Sequence, residues 1–239
     1  MKTTKAAKHD RRAQRKRKGR PRHDDRAGGR LPGEGFGSGD LARLTAVLEG
    51  FDPTGPWSTV ATRILPVIKR VWHPYPVDLA PFHLAVPPGI PTGFGIDLGP
   101  AFSHATPELI DRWGVDHATL LGTALDNLRS LVRREPPVVD RFRHDGMDIV
   151  AVQGEGWGSA LLLLPDVLGA AIGDAPRVLL TPVRNTLLAL PASVGLELAA
   201  DLWDAVASGA HDELDVDPMR WTGTTVVALH DHVTQGLPN

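Results

Sequence analysis

Beyond Leu31 the apolar residues fall into helical and extended spacings that alternate along the chain. Over 40–50, Leu41, Leu44, Val47 and Leu48 share one helical face, opened by Asp40 as N-cap and closed by Gly50. A second helical spacing joins Val60, Ile64, Val67, Ile68 and Val71; Pro66 is expected to kink or split it, and Pro74 and Pro76 to end it. From Val77 the pattern predicts strands over 79–86 and 94–102, separated by a loop carrying Pro87, Pro88, Gly89 and Pro91. Thr106-Pro107-Glu108 predicts a helix start: a hydroxyl N-cap, proline at the first helical position and a carboxylate at the positive dipole end. Gly114 stops that helix. Asp116 caps the next, whose stripe is Leu121, Leu125, Leu128 and Val132, with Arg133 and Arg134 suited to its last turn and Pro136-Pro137 ending it.

Asp145-Gly146 is a strong hairpin signal between extended runs at 138–142 and 148–152. Residues 157–172 read as a largely buried helix interrupted at Pro165, since four consecutive leucines leave no polar face in its first turn. Short strands follow at 177–181 and 186–190, around Pro182-Val183-Arg184-Asn185. Residues 193–208 predict an amphipathic helix with Val194, Leu198, Leu202 and Ala205 inward and Gly209 as its stop, and 221–229 a final strand. Helices and strands are interspersed without strict βαβ alternation, and a hairpin is present. That pattern predicts an α+β fold with a mixed, largely antiparallel sheet flanked by helices, in a single domain over 40–239.

Charge changes the picture at the N-terminus. The first thirty residues hold thirteen Lys or Arg against three Asp, a local +10; the remainder, with thirteen basic and twenty-five acidic side chains, carries −12 under a formal net of −2. No Val, Ile, Leu, Phe, Trp or Tyr precedes Leu31, so this segment has no apolar surface to offset its ordering entropy. Residues 1–39 are therefore expected to be a disordered basic tail ending in a glycine-rich hinge over 31–39. The absence of cysteine excludes disulfides, thiolate metal sites and thiol nucleophiles. No apolar stretch backs the basic start as in a secretory signal, and it lacks the amphipathic face of a mitochondrial presequence. The longest apolar run, 160–164, is far short of the ~20 residues that span a bilayer. A cytoplasmic protein without membrane contact is expected.

Several stretches resemble the YtpQ-type bacterial proteins, a family of unknown function: Thr106-Pro-Glu-Leu-Ile-Asp-Arg-Trp-Gly-Val, Ala124-Leu-Asp-Asn-Leu, Ser159-Ala-Leu-Leu-Leu and Thr181-Pro-Val-Arg-Asn-Thr-Leu-Leu. The resemblance spans about residues 55–210. It implies a cytosolic α+β module and no particular reaction. Asn185 stands where the family pattern has Asp, so a role needing ionisation there does not carry over.

Four constellations are candidates for chemistry. Gly154-Glu-Gly-Trp-Gly-Ser159 has the outline of a phosphate loop before a helix N-terminus, but it lacks the Walker spacing and Glu155 would repel a phosphate; a tight turn seating Trp157 is the plain alternative. Arg184 offers a planar fork for a carboxylate or phosphate and Asn185 both donor and acceptor; alternatively, Arg184 pairs with Asp97 and Asn185 takes a left-handed turn position. His230-Asp231-His232 with His211, Asp212 and Glu213 is a weak metal constellation, outweighed by the reading of solvated polar residues, so no metal and no cofactor is expected. Ser159, His104 and Asp97 make a triad only on paper, with no Gly-x-Ser-x-Gly elbow, and Ser159 is better placed to cap the 160–172 helix.

The tail differs in kind. Arg11, Arg12, Arg15, Lys16, Arg17, Lys18, Arg20 and Arg22 attract phosphate backbones by counterion release, without aromatics for base stacking. Non-specific nucleic acid or an acidic protein is the expected partner, against the alternative of a solubilising or self-docking arm. The sequence thus points to a cytosolic binding module with Asp97, Ser159, Arg184 and Asn185 as ligand candidates. The competing reading is a hydrolase or phosphate-ester enzyme using Arg184 and the 154–159 loop.

Overall fold

In the computed structural model the described residues are 38–68, 82–86, 89–99, 102–208, 210, 214 and 216–229. The chain divides into Met1–Leu31 and Pro32–Asn239, and every described residue belongs to the second unit. The basic cluster at 11–22, Val71, Pro74, Pro76, Gly209, His211–Glu213 (211–213) and the 230–232 histidines lie outside the described residues.

The fold is α+β, with two antiparallel sheets where one was expected. Helices α1 (Ser38–Gly50) and α2 (Trp57–Val60), then a 3-10 turn over Ala61–Arg63, lead into the first sheet. Its strands are β1 (Ile64–Ile68), β2 (His83–Val86), β3 (Ile90–Asp97) and β4 (Phe102–His104). β1 runs along one side of β3; β2 and β4 share the other, opposite residues 90–93 and 95–97.

Three expectations are corrected here. α1 already includes Ser38, so Asp40 is inside the helix and not its cap. The helical spacing at 60–71 is β1 from Ile64, all five residues buried. Apolar residues at i, i+3 and i+4 fit a strand buried on both faces as well as a helix, and Pro66 decides between them: it breaks a helix interior but is tolerated on an edge strand. Pro91 lies within β3 opposite Ala85, and the expected 94–102 strand is two strands, β3 and β4.

Helices α3 (Pro107–Trp113) and α4 (His117–Arg134) start as the sequence predicts. Thr106 Oγ1 accepts from Leu109 N at 3.3 Å, and the Asp116 carboxylate accepts from Thr119 N at 2.7 Å. Gly114, at φ 64°, ends α3 in the left-handed conformation that glycine favours. The buried stripe of α4 is Leu120, Ala124, Leu128, Leu131 and Val132; Leu121 and Leu125 sit at its border. The inward face is thus rotated from the expected one, because α4 packs against two clusters at once. Its N-terminal half joins Phe94, Ile96, Ile110 and Trp113, while its C-terminal half joins the larger core.

The second sheet, in order β10-β9-β7-β8-β6-β5, comprises β5 (Val138–His144), β6 (Met147–Gln153), β7 (Arg177–Val183), β8 (Thr186–Pro191), β9 (Met219–Trp221) and β10 (Val226–Ala228). Asp145 (φ 49°) and Gly146 (φ 79°) form the two-residue turn joining β5 to β6, the backbone that Asp-Gly favours. One face of this sheet is covered by a 3-10 segment, Gly158–Leu163, and α5 (Pro165–Ile172), with Pro165 at the first turn of α5. The other face carries Ile149, Ala151, Val178, Leu180, Leu188 and Leu190 against Ala199 of α6 (Leu196–Ala207). Ala205, expected inward, is exposed, and Ala199 and Ala207 are buried instead. The last expected strand is a hairpin, β9 and β10.

Candidate functional site

The 154–159 loop and the 184–185 turn meet, as their joint role requires, but they form a clasp. The two-residue turn joins Val183 to Thr186. Asn185 O accepts from Gly154 N at 3.0 Å, and its side-chain Oδ1 from Gly156 N at 2.8 Å. Ser159 N donates to Arg184 O at 2.9 Å, while Trp157 N and Gly158 N both donate to Gly154 O. The N–H groups of Gly154, Gly156, Trp157, Gly158 and Ser159 are therefore engaged within the chain, the opposite of a cradle presenting donors to a phosphate. Glycine is needed at two positions for space: a Cβ on Gly154 would stand 2.7 Å from the Trp157 ring, and one on Gly158 would press into the Asn185 carbonyl. Trp157 itself is buried in the larger core.

None of the clefts formed by described residues at Asp97, at Trp203 or at Arg177 brings the four expected ligand residues together. Ser159 is 0 % exposed, and among the described residues its hydroxyl finds no partner, so it neither caps a helix nor meets a base at His104. Asn185 does not occupy a left-handed position; among the described residues Asp145 is the non-glycine with positive φ. The Arg184 guanidinium carbon lies 5.1 Å from the centroid of the Phe102 ring. Phe102 pairs with Asp97 across β3 and β4, yet no ion pair among the described residues joins Arg184 to Asp97. Asp97 instead holds Gly99 N with its carboxylate at 2.7 Å and accepts from Arg63 Nη1 through its main-chain oxygen at 3.4 Å.

Asp97 belongs to a cleft of about 450 Å³ at the end of β3, beside the C-terminal half of α4. Arg63, Asn127, Ser130 and Arg134 line it with Asp97 and Thr62. Arg63 is steadied by the Phe51 ring, 4.4 Å from its guanidinium carbon. The Asn127 amide nitrogen donates to Ala61 O at 2.7 Å and Ile64 O at 2.8 Å, tying α4 to the start of β1. Sequence reasoning missed Arg63, Asn127 and Arg134. The available signal was Asn127, a polar residue adjacent to Leu128 on the inward side of a helix, where a side chain needs hydrogen-bond partners.

A second group missed in the sequence lies on the other sheet, in a cleft lined by Arg141, Arg143, Asp148, Val150 and Arg177. Burial pulls the Arg177 guanidinium below its usual range, the nearby Arg141 charge adds to this, and Asp148 offsets it. Among the described residues no set of three His, Asp or Glu side chains gathers as a metal site. Comparison with protein-family models, curated proteins and solved structures finds no match to this chain.

Proposed function

We propose that this chain is a cytosolic binding module. Its body takes a small anionic ligand in the cleft at Arg63, Asn127 and Arg134, and the basic arm of Arg11 to Arg22 adds attraction to nucleic acid or an acidic protein. The observation carrying the first half is a concavity of ligand-pocket size, about 450 Å³, lined by Arg63, Arg134 and one carboxylate, Asp97, with Arg134 also paired to Glu135 at 3.0 Å. A guanidinium fork suits a carboxylate or phosphate group. The absence, among the described residues, of a helix long and apolar enough to cross a membrane is compatible with this reading. The reading as a hydrolase or phosphate-ester enzyme is not favoured, because the loop donors it needs are engaged and Ser159 is buried. The likeness to YtpQ-type proteins, carried by residues 106–115, 124–128, 159–163 and 181–188, is compatible with the module but names no ligand.

Thermal-shift titration with citrate, glutamate and inorganic phosphate, at ionic strength matched with chloride, tests the cleft. A ligand at one hundred times its Kd stabilises the body by about 2.7 kcal/mol. At roughly 2 to 4 °C per kcal/mol for a domain of this size, the midpoint rises by about 5 to 11 °C. Arg63→Ala and Arg134→Ala, each measured against its own baseline, should lose that rise. If none of the anions exceeds chloride, or both variants keep the full shift, the cleft is not the site.

A further inference from the structure

The outer edge of β5 is the least protected part of the second sheet. β5 is its terminal strand, all seven residues are exposed, and among the described residues nothing pairs with its outer side. Val138 is 58 % and Phe142 43 % exposed, alongside Val139. A regular edge of this length, with apolar side chains, is a template for another strand.

The two faces of β5 differ in chemistry. Arg141 donates to Ala171 O of α5 at 2.8 Å, which sets Val139, Arg141 and Arg143 on the α5 side by the two-residue alternation of a strand. On that side Arg141 pairs across with Val150 and Arg143 with Asp148, and Arg177 completes the cluster. Asp148, bonded to Arg143 at 3.1 Å, is the carboxylate lining the cleft beside the three guanidiniums, so the face keeps a positive excess. The opposite side presents Val138, Asp140 and Phe142, with Phe142 opposite Ile149.

A second copy of the chain is a poor occupant. Antiparallel pairing of two β5 edges about a two-fold axis must keep each face on its own side, so the register is centred on a residue. In the registers that pair at least five of the seven residues of β5, centring on Asp140 opposes Asp140 to itself, centring on Arg141 opposes Arg141 to itself, and centring on Phe142 opposes Arg141 to Arg143. The chain's own basic arm is repelled by the same arginines.

We propose that β5 receives an extended acidic peptide from a partner protein by antiparallel strand addition, with acidic side chains on the α5 side facing Arg141, Arg143 and Arg177, and apolar ones on the other side over Val138 and Phe142. Main-chain hydrogen bonds supply affinity and the alternating sides supply selection.

The probe is a fluorescein-labelled peptide of alternating Glu and Val, titrated with the full chain and read by anisotropy. An alternating Lys-Val peptide and a Glu-Val peptide N-methylated at alternate residues serve as comparisons. Arg141→Glu with Arg143→Glu should weaken the Glu-Val peptide by about tenfold or more through like-charge repulsion. N-methylation should do the same while leaving charge untouched, which separates strand addition from attraction to the basic arm. Equal affinity for the N-methylated peptide, an unchanged affinity in the double variant, or no measurable binding overturns the proposal. Concentration-dependent dimerisation lost in that variant overturns it in favour of self-association.

Discussion

Replacing Gly158 by alanine inserts one methyl group into the joint between the 154–159 loop and the 184–185 turn. That methyl would lie 2.6 Å from the Asn185 carbonyl carbon and 3.2 Å from Thr186 N, and these are backbone atoms that no rotamer change can move aside. The loop must therefore lift from the turn. Lifting stretches Gly154 N to Asn185 O (3.0 Å) and Ser159 N to Arg184 O (2.9 Å). Overpacking costs about 1 to 3 kcal/mol and each net hydrogen bond about 0.5 to 1.5, so a loss of about 2 to 6 kcal/mol is expected. Urea unfolding followed by tryptophan fluorescence measures it, with Trp157 beside the joint as a reporter. The control is Gly122→Ala. Gly122 is exposed in the interior of α4, no atom lies within 4 Å of its added Cβ, and alanine there should stabilise by about 0.5 to 1 kcal/mol. A Gly158→Ala cost below about 1 kcal/mol would refute the clasp as a rigid joint.

Leu128→Ala should cost about 2 to 5 kcal/mol in the same assay and Leu125→Ala clearly less, because Leu128 is 0 % exposed and Leu125 borders the core. Arg129→Ala should cost under about 1 kcal/mol, since its contact with Asp166, at 3.7 Å, is solvent-screened. Hydrogen bonds from Thr119 hold the Asp116 carboxyl below the ordinary aspartate value of 3.8. The unfolded chain thus binds that proton more tightly, so the cap's contribution is present above about pH 4 and fades as pH falls through the folded value. In Asp116→Asn the melting midpoint should fall less steeply over that acid range, as circular dichroism can follow. Removing residues 1–30 should leave the midpoint unchanged at moderate salt. It should also abolish a weak, salt-sensitive binding to generic RNA with Kd in the range of ~10⁻⁴ to 10⁻⁶ M, measured by anisotropy at several salt concentrations.

The ends of elements were legible wherever one residue settles the local backbone. Thr106-Pro107, Gly114 and Asp116 mark α3 and α4 because capping and proline geometry depend on neighbours within one helical turn. Asp145-Gly146 marks its hairpin for the same reason. Which side faces inward was less legible. The inward face of α4 had to satisfy two clusters, one built on the first sheet and one shared by both sheets, and that choice depends on residues more than fifty positions away, such as Ala61 and Ile64, which hold Asn127. The candidate site divides along the same line. Loop and turn were each visible as short motifs, but nothing in either shows that their polar groups satisfy one another.

By itself, the sequence determined the α+β class, the antiparallel hairpin, the capped helix pair and the segregation of positive charge into the first thirty residues. These follow from composition and from interactions a few residues long. Only the tertiary structure decided that Ile64–Ile68 is a strand and that Asp97 lines one cleft together with Arg63 and Asn127. It alone also left β5 as an open sheet edge beside three arginines. Burial and strand order bring together groups whose separation along the chain carries no local signal, and a polar group becomes binding site or scaffold according to the partner it finds there.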